Sequence, residues 1–325
     1  MKYRFVLLIL MLMVWEREAV AGADSVVYRL KWIANMSTVG DYYALSHGNF
    51  QKQSLAVTIK PGGPERDAIR ELELGHAQFG VASADQVIRA LAKGAPVVVV
   101  AQLFQVNPLQ WIYRGDRLTI DGLSDLKGLR LGVTFGKNDE IIMRTLLARG
   151  NIDERQVEFH SVRLDYTPFF KGKVDLWPVY INTQGIEIGD KMRASGEEIR
   201  FMDPSQFGVR FVANSVVTSR EMIERHPELV RRFVRALLNG WRQAMDPANG
   251  AQAVAVVRSY DRDTTDQILQ RQLRVTRRLI KPSPDQVIGA IDRKAWQQTE
   301  EMMVQHHQIA HPVGVIEHLN FEMVQ

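Results

Sequence analysis

The chain has 325 residues, a formal net charge of +4 at neutral pH and no cysteine. That length is enough for two lobes with separate cores. The arginines are scattered, with a local excess only at Arg231, Arg232 and Arg235, so no basic stripe interleaved with aromatic platforms marks a nucleic-acid surface. The missing cysteines exclude disulfides, thiolate metal sites, a cysteine nucleophile and a lipid-anchored cysteine.

Lys2 and Arg4 precede an apolar run over residues 5–15, and the small residues Ala19, Val20, Ala21, Gly22 and Ala23 follow. This layout predicts a secretory signal peptide over residues 1–23, cut after Ala21 or Ala23, with an apolar run too short to span a bilayer. From residue 26, strand-like apolar runs alternate with helical periodicity, which predicts a layered α/β fold. The pattern gives strands over 26–32, 56–60, 78–82 and 97–104, and helices over 41–47, 65–74 and 85–93. Gly48, Gly75 and Gly94 follow those helices, where a left-handed residue closes a helix most easily. Pro61-Gly62-Gly63-Pro64 reads as a turn.

A second unit begins near Arg114, with strands over 129–133, 157–161 and 174–180 and helices over 138–149, 166–171 and 187–195. Gly150 is expected to stop the first of these helices. An extended run over 209–217 reads as the return to the first unit. Crossings near 111–114 and 210–217 then divide the chain into one lobe of residues 24–113 and 214–325 and another of residues 114–213. Two thin crossings permit hinge closure. Beyond Ser219 the pattern is helical: Leu229, Phe233, Leu237 and Trp241 recur every four residues as a buried stripe, and further helices are expected over 247–258, 264–280 and 284–309.

Open α/β sheets bind ligands beyond the carboxyl ends of their strands. The junctions there offer Trp32, Asn35, Asp41 and Tyr42, then Ser83 and Asp85, then Asn138 and Glu140. Trp177, Tyr180 and Asn182 close the strand over 174–180, and Gln105 and Asn107 follow the strand over 97–104. Aromatic faces mixed with carboxamides and carboxylates suit a small-molecule cleft. Asp41, Asp85, Asp139 and Glu140 also fall in the first turns of predicted helices, where the helix end alone would favour them. If they face the cleft they repel anions and favour a neutral or cationic, donor-bearing ligand. His307 and His311 have the spacing of a helical metal pair but no third ligand, so no metal is expected. No Walker loop, dinucleotide fingerprint or Gly-x-Ser-x-Gly elbow occurs, so neither a cofactor nor a catalytic residue is assigned.

The opening Leu30-Lys31-Trp32-Ile33-Ala34-Asn35, followed by Gly40-Asp41-Tyr42-Tyr43-Ala44 and His47-Gly48-Asn49-Phe50, resembles the start of the sulfonate, nitrate and thiamine-precursor family of periplasmic binding proteins. Gly75-His76-Ala77-Gln78-Phe79-Gly80-Val81 and Gly172-Lys173-Val174-Asp175 carry the same resemblance. Asp85-Gln86-Val87, Gln105-Val106-Asn107-Pro108 and the run Trp177-Pro178-Val179-Tyr180-Ile181-Asn182 bring it nearest to the pyrimidine-precursor binders of thiamine salvage and their riboflavin-binding relatives. Family members commonly have proline where this chain has Ala34, which makes Asn35 a less secure contact than Trp32. The resemblance implies an α/β fold of the type II periplasmic binding protein class, two lobes with a ligand cleft between them. It also implies a monomeric periplasmic receptor that is not a lipoprotein, with an ABC permease and its cytoplasmic ATPase as partners. The ligand would be a thiamine-type pyrimidine precursor or a related heterocycle such as riboflavin, stacked by Trp32 and Trp177. The alternative is an oxyanion such as an alkanesulfonate, taurine or nitrate held at bare helix N-termini; a secreted enzyme is a further alternative. Enzymes of the superfamily that build the thiamine pyrimidine use a cysteine-rich segment, which is missing here.

Overall fold

The computed structural model describes residues 22–63 and 65–324. Apart from Gly22 and Ala23, the expected signal peptide lies outside the described residues. Among the described residues no helix is long and apolar enough to cross a membrane.

The chain first lays down β1 (Asp24–Arg29), α1 (Val39–Ser46), β2 (Leu55–Lys60), α2 (Ala68–Glu73), β3 (Phe79–Ala82), α3 (Ala84–Leu91) and β4 (Val97–Gln102). Next come β5 (Leu109–Arg114), β6 (Arg130–Val133), α4 (Asn138–Arg149), β7 (Glu158–Ser161), α5 (Thr167–Phe170), β8 (Trp177–Tyr180), α6 (Gln184–Ala194) and β9 (Ile199–Met202). The chain then returns through β10 (Ser215–Ser219) to α7 (Arg220–Arg225), α8 (Pro227–Met245), α9 (Gly250–Arg258), α10 (Asp266–Ile280) and α11 (Arg293–Gln305).

The first sheet has the order β2-β1-β3-β10-β4. β1 runs parallel to β2 and β3, whereas β10 is antiparallel to both its neighbours. All six residues of the valine-rich β4 are buried, as a strand covered on both faces requires. In the second lobe β5 pairs antiparallel with β8 and β9, and β6 pairs parallel with β7. A bridge between Leu131 and Leu176 joins these pieces, so the order β7-β6-β8-β5-β9 repeats that of the first sheet with the antiparallel strand again fourth. These are the two α/β lobes of a type II periplasmic binding protein.

Several expectations change. Leu109–Arg114 belongs to the second sheet, so the first crossing precedes it instead of falling within 111–114. β9 was not expected, because its short run Ile199-Arg200-Phe201-Met202 follows a helix with little to announce a strand. Gly150 does stop α4 as its C-cap, although at φ −81, and the left-handed residue after it is Asn151 at φ 51. The last helix starts only at Arg293, where the Asp292 carboxylate accepts from the Ala295 N–H at 3.0 Å. It ends at Gln305, and His307 has φ 57, so His307 and His311 share no helix face.

Helix α1 crosses α8 at very close range. A Cβ on Gly40 would lie 2.1 Å from the Trp241 ring, and one on Gly240 would lie 2.4 Å from Ala44 Cβ. This approach brings Trp241, the last member of the apolar stripe, against the first turn of α1.

Candidate ligand-binding cleft

Between the lobes lies a cavity of about 100 Å³. Trp32, Asn35 and Asp41 line it from the first lobe, and Asn138, Trp177 and Tyr180 line it from the second. Tyr166 packs edge-on against Trp177 at 5.8 Å and also faces the cavity. Trp177 is 1 % exposed and packs on Phe169 as well, so it is at once core and cavity wall. Trp32 is partly buried, and its buried Nε1–H has no hydrogen-bond partner among the described residues.

Asp41 is 1 % exposed. Its Oδ1 accepts from Tyr28 Oη at 2.9 Å and from Trp241 Nε1 at 3.1 Å. Burial pushes this carboxyl up from 3.8 to about 7, and the two donors only partly offset that rise. Asp139 also lines the cavity; its Oδ2 accepts from the Thr134 N–H at 2.6 Å, and burial lifts it to about 6.

Sequence reasoning missed Tyr166 and Asn214 and, above all, three basic residues. Lys31 leaves the end of β1 and donates to Asn138 Oδ1 at 2.9 Å and Tyr180 Oη at 3.0 Å, which ties the lobes together across the cavity. Tyr180 in turn donates to Asn214 Oδ1 at 3.3 Å. Lys137 and Arg163 also line the cavity. Lys137 donates to the Arg66 carbonyl at 2.6 Å and Arg163 pairs with Glu65 at 2.6 Å, so both clasp the mouth of the cleft from the second lobe. Lys31 fell inside the strand expected over 26–32, which hid it. The acids thus do not decide the charge of the cleft, since three cations face the same space.

The other expected site residues serve the fold. Tyr42 turns away and stacks on Tyr260 at 4.1 Å. Ser83 Oγ donates to Gln86 Oε1 at 3.1 Å inside the start of α3. Asp85 is fully buried without lining the cavity; neither carboxylate oxygen has a close hydrogen-bond partner among the described residues, and burial raises its pKa against the opposing charge of Lys31. Gln105 donates to the carbonyls of Gln102 and Ala290. Asn107 donates to the Phe211 carbonyl and accepts from the Leu109 N–H, each at 2.9 Å, which staples the two crossings together. Glu140 accepts from the Gly136 N–H and from Arg144. Asn182 donates to Ser37 Oγ at 3.0 Å and Thr276 Oγ1 at 2.9 Å, so it bridges the lobes behind the cavity. Carboxamides that complete backbone or interlobe contacts look, in sequence, like those that face a ligand.

Among the described residues no cluster of three or more His, Asp or Glu side chains could hold a metal.

The chain is 23 % identical over 318 residues to the riboflavin-binding protein RibY of Chloroflexus aurantiacus, covering 93 % of this chain and 86 % of that one. It is 23 % identical over 296 residues to the formylaminopyrimidine-binding protein of Halalkalibacterium halodurans, covering 89 % and 88 %. The alkanesulfonate-binding protein SsuA of Xanthomonas axonopodis pv. citri shares the fold at a TM-score of 0.70 and 15 % identity, covering 92 % of this chain and 99 % of that one. The family model described as NMT1/THI5 like matches residues 35–250, which is most of both lobes and every cavity wall except Leu30, Lys31 and Trp32, and the chain belongs to that family.

Proposed function

We propose that this protein is a periplasmic receptor of an ABC importer that encloses a single-ring, amino-substituted heterocycle of the pyrimidine-precursor class. The observation that carries this reading is the cavity: about 100 Å³, walled by Trp32, Trp177, Tyr166 and Tyr180, with polar groups converging from both lobes. Aromatic walls on both lobes suit a flat ring, and the polar groups that converge between them suit one with hydrogen-bonding substituents. One relative is named for riboflavin and another for a formylaminopyrimidine, and the single-ring choice follows the second. In this reading Trp32 and Trp177 flank the ring, Asn35 and Asn138 read its edge, and Lys31 carries the signal of closure to Tyr180. The lobes divide at the segments between β4 and β5 and between β9 and β10, and ligand contacts favour the closed arrangement. The leader pattern at the start of the chain supports delivery to the periplasm.

A second reading has its own observation. Lys31, Lys137 and Arg163 line the cavity, and cations are what an alkanesulfonate, taurine or nitrate would need. Native mass spectrometry of the protein as isolated, followed by calorimetric titration with an aminopyrimidine, riboflavin, taurine and nitrate, separates the two. Aminopyrimidine binding with no response to taurine or nitrate supports the first. Sulfonate or nitrate binding with no heterocycle binding overturns it.

A further inference from the structure

We infer that Asp41 is a proton-linked specificity residue, which takes ligands bearing an N–H donor only as a carboxylate and so gives up its proton when such a ligand binds. The inference rests on the heterocycle reading above. It stands first on geometry: Oδ1 already accepts two hydrogen bonds, from Tyr28 and Trp241, whereas Oδ2 receives none from the described residues. Both donors are rigid, since Tyr28 and Trp241 are fully buried and the Trp241 ring is clamped against Gly40. Oδ2 is therefore the atom left for the cavity that Asp41 lines.

The two protonation states then ask for opposite ligands. With Oδ1 occupied by two donors, a proton on Asp41 belongs on Oδ2, which becomes a donor and suits a ring nitrogen or carbonyl. Without the proton, Oδ2 is a charged acceptor and suits an exocyclic amino group. Burial holds the carboxyl near neutrality, at about 7, so both states are accessible in an ordinary environment.

The groups around Asp41 can be named from each side. Tyr28 faces it from β1, Tyr42 follows it on α1, and Asp41's charge helps to raise both phenols. From α8 the facing group is the uncharged Trp241. On α9 the charged side chain is Arg258, which is paired with Asp266. Across the cavity are Lys31, Lys137, Arg163 and Asp139. Of these, Asp139 titrates one unit lower, at about 6, and is held by the Thr134 N–H.

The test compares 2-aminopyrimidine with pyrimidine, both neutral rings above about pH 5.5, with binding followed by NMR chemical shifts on the full chain from about pH 5.5 to 8. For the wild type, affinity for the amino compound should rise by about tenfold per pH unit up to about pH 7 and then level off, whereas affinity for pyrimidine should hold up to about pH 7 and fall above it. Asp41→Asn should lose the step centred near pH 7, keeping at most the step near pH 6 that Asp139 supplies in both proteins. Tyr28→Phe removes a donor that stabilises the carboxylate, so it should keep the dependence and move its midpoint upward. An amino preference that is constant with pH in both wild type and Tyr28→Phe overturns the inference while leaving the heterocycle reading intact. Binding of neither ring overturns that reading, and the inference with it.

Discussion

Replacing Asp41 by Asn should reveal a buried acid as a pH-dependent load on the fold. The carboxyl is moved from 3.8 to about 7 because the charged form is disfavoured where it is 1 % exposed. A group held more protonated in the folded chain than in the unfolded one contributes stability that is fully present below the unfolded value, and that stability is lost as pH rises through the folded value. At about 1.4 kcal/mol for each pH unit, the loss between pH 4 and pH 8 is about 4 kcal/mol. Asp139, lifted to about 6, adds about 3 kcal/mol to the same fall. An amide at position 41 keeps an oxygen for Tyr28 and Trp241 but cannot ionise. The variant should therefore match the wild type at pH 4 and exceed it by about 4 kcal/mol at pH 8 without ligand. Urea titrations of both proteins across that range, read by intrinsic fluorescence and circular dichroism, measure the difference. Parallel stability curves would refute the claim that Asp41 titrates near neutrality inside the fold.

The two tryptophans of the cavity should separate. Trp177→Ala should cost about 3–5 kcal/mol of stability, because that ring is packed on Phe169 and Tyr166 as core. Trp32→Ala should leave the melting temperature nearly unchanged and weaken an aminopyrimidine by about 0.5–1.5 kcal/mol; a large melting shift with unchanged affinity would assign Trp32 to the core. Asn107→Ala leaves the Phe211 carbonyl and the Leu109 N–H without their partner and should destabilise the protein by about 1–3 kcal/mol, as denaturant titration would measure. Ligand should also reduce the radius of gyration in small-angle scattering, since the mouth is clasped by Arg163 with Glu65 and Lys137 with the Arg66 carbonyl; an unchanged radius would count against hinge closure.

Much of the architecture was legible because period and punctuation agree in it. The strands and helices between Asp24 and Gln102 follow from alternation, whereas β5 lies where a crossing was expected, and Gly48, Gly75 and Gly94 do adopt positive φ. The strand expected over 26–32 ran too far, and this concealed Lys31: the sheet ends at Arg29, and the residues beyond are free to enter the cleft. Trp241 reads as core from its four-residue spacing, and it is core. Its indole N–H also holds Asp41, a contact between residues 200 positions apart that no local pattern announces. Asn107 and Asn182 show the converse limit. A strand-end carboxamide reads the same whether it meets a ligand, a backbone carbonyl or a threonine hydroxyl, because only the tertiary partner differs.

The place of β10 in the first sheet has a bearing on how the chain assembles. This strand lies between β3 and β4, yet it is made after the whole of the second lobe. While the chain emerges from its amino end, β3 and β4 are both present long before the strand that separates them, and each exposes an edge to be paired. The first lobe cannot complete its sheet until about residue 219, and joining segments more than a hundred residues apart is slow because loop closure comes before any contact rewards it. A long-lived unfolded chain follows from this threading: the wild-type protein should refold more slowly than a circular permutant opened between β9 and β10, in which all five strands of the first sheet lie in one unbroken stretch of chain.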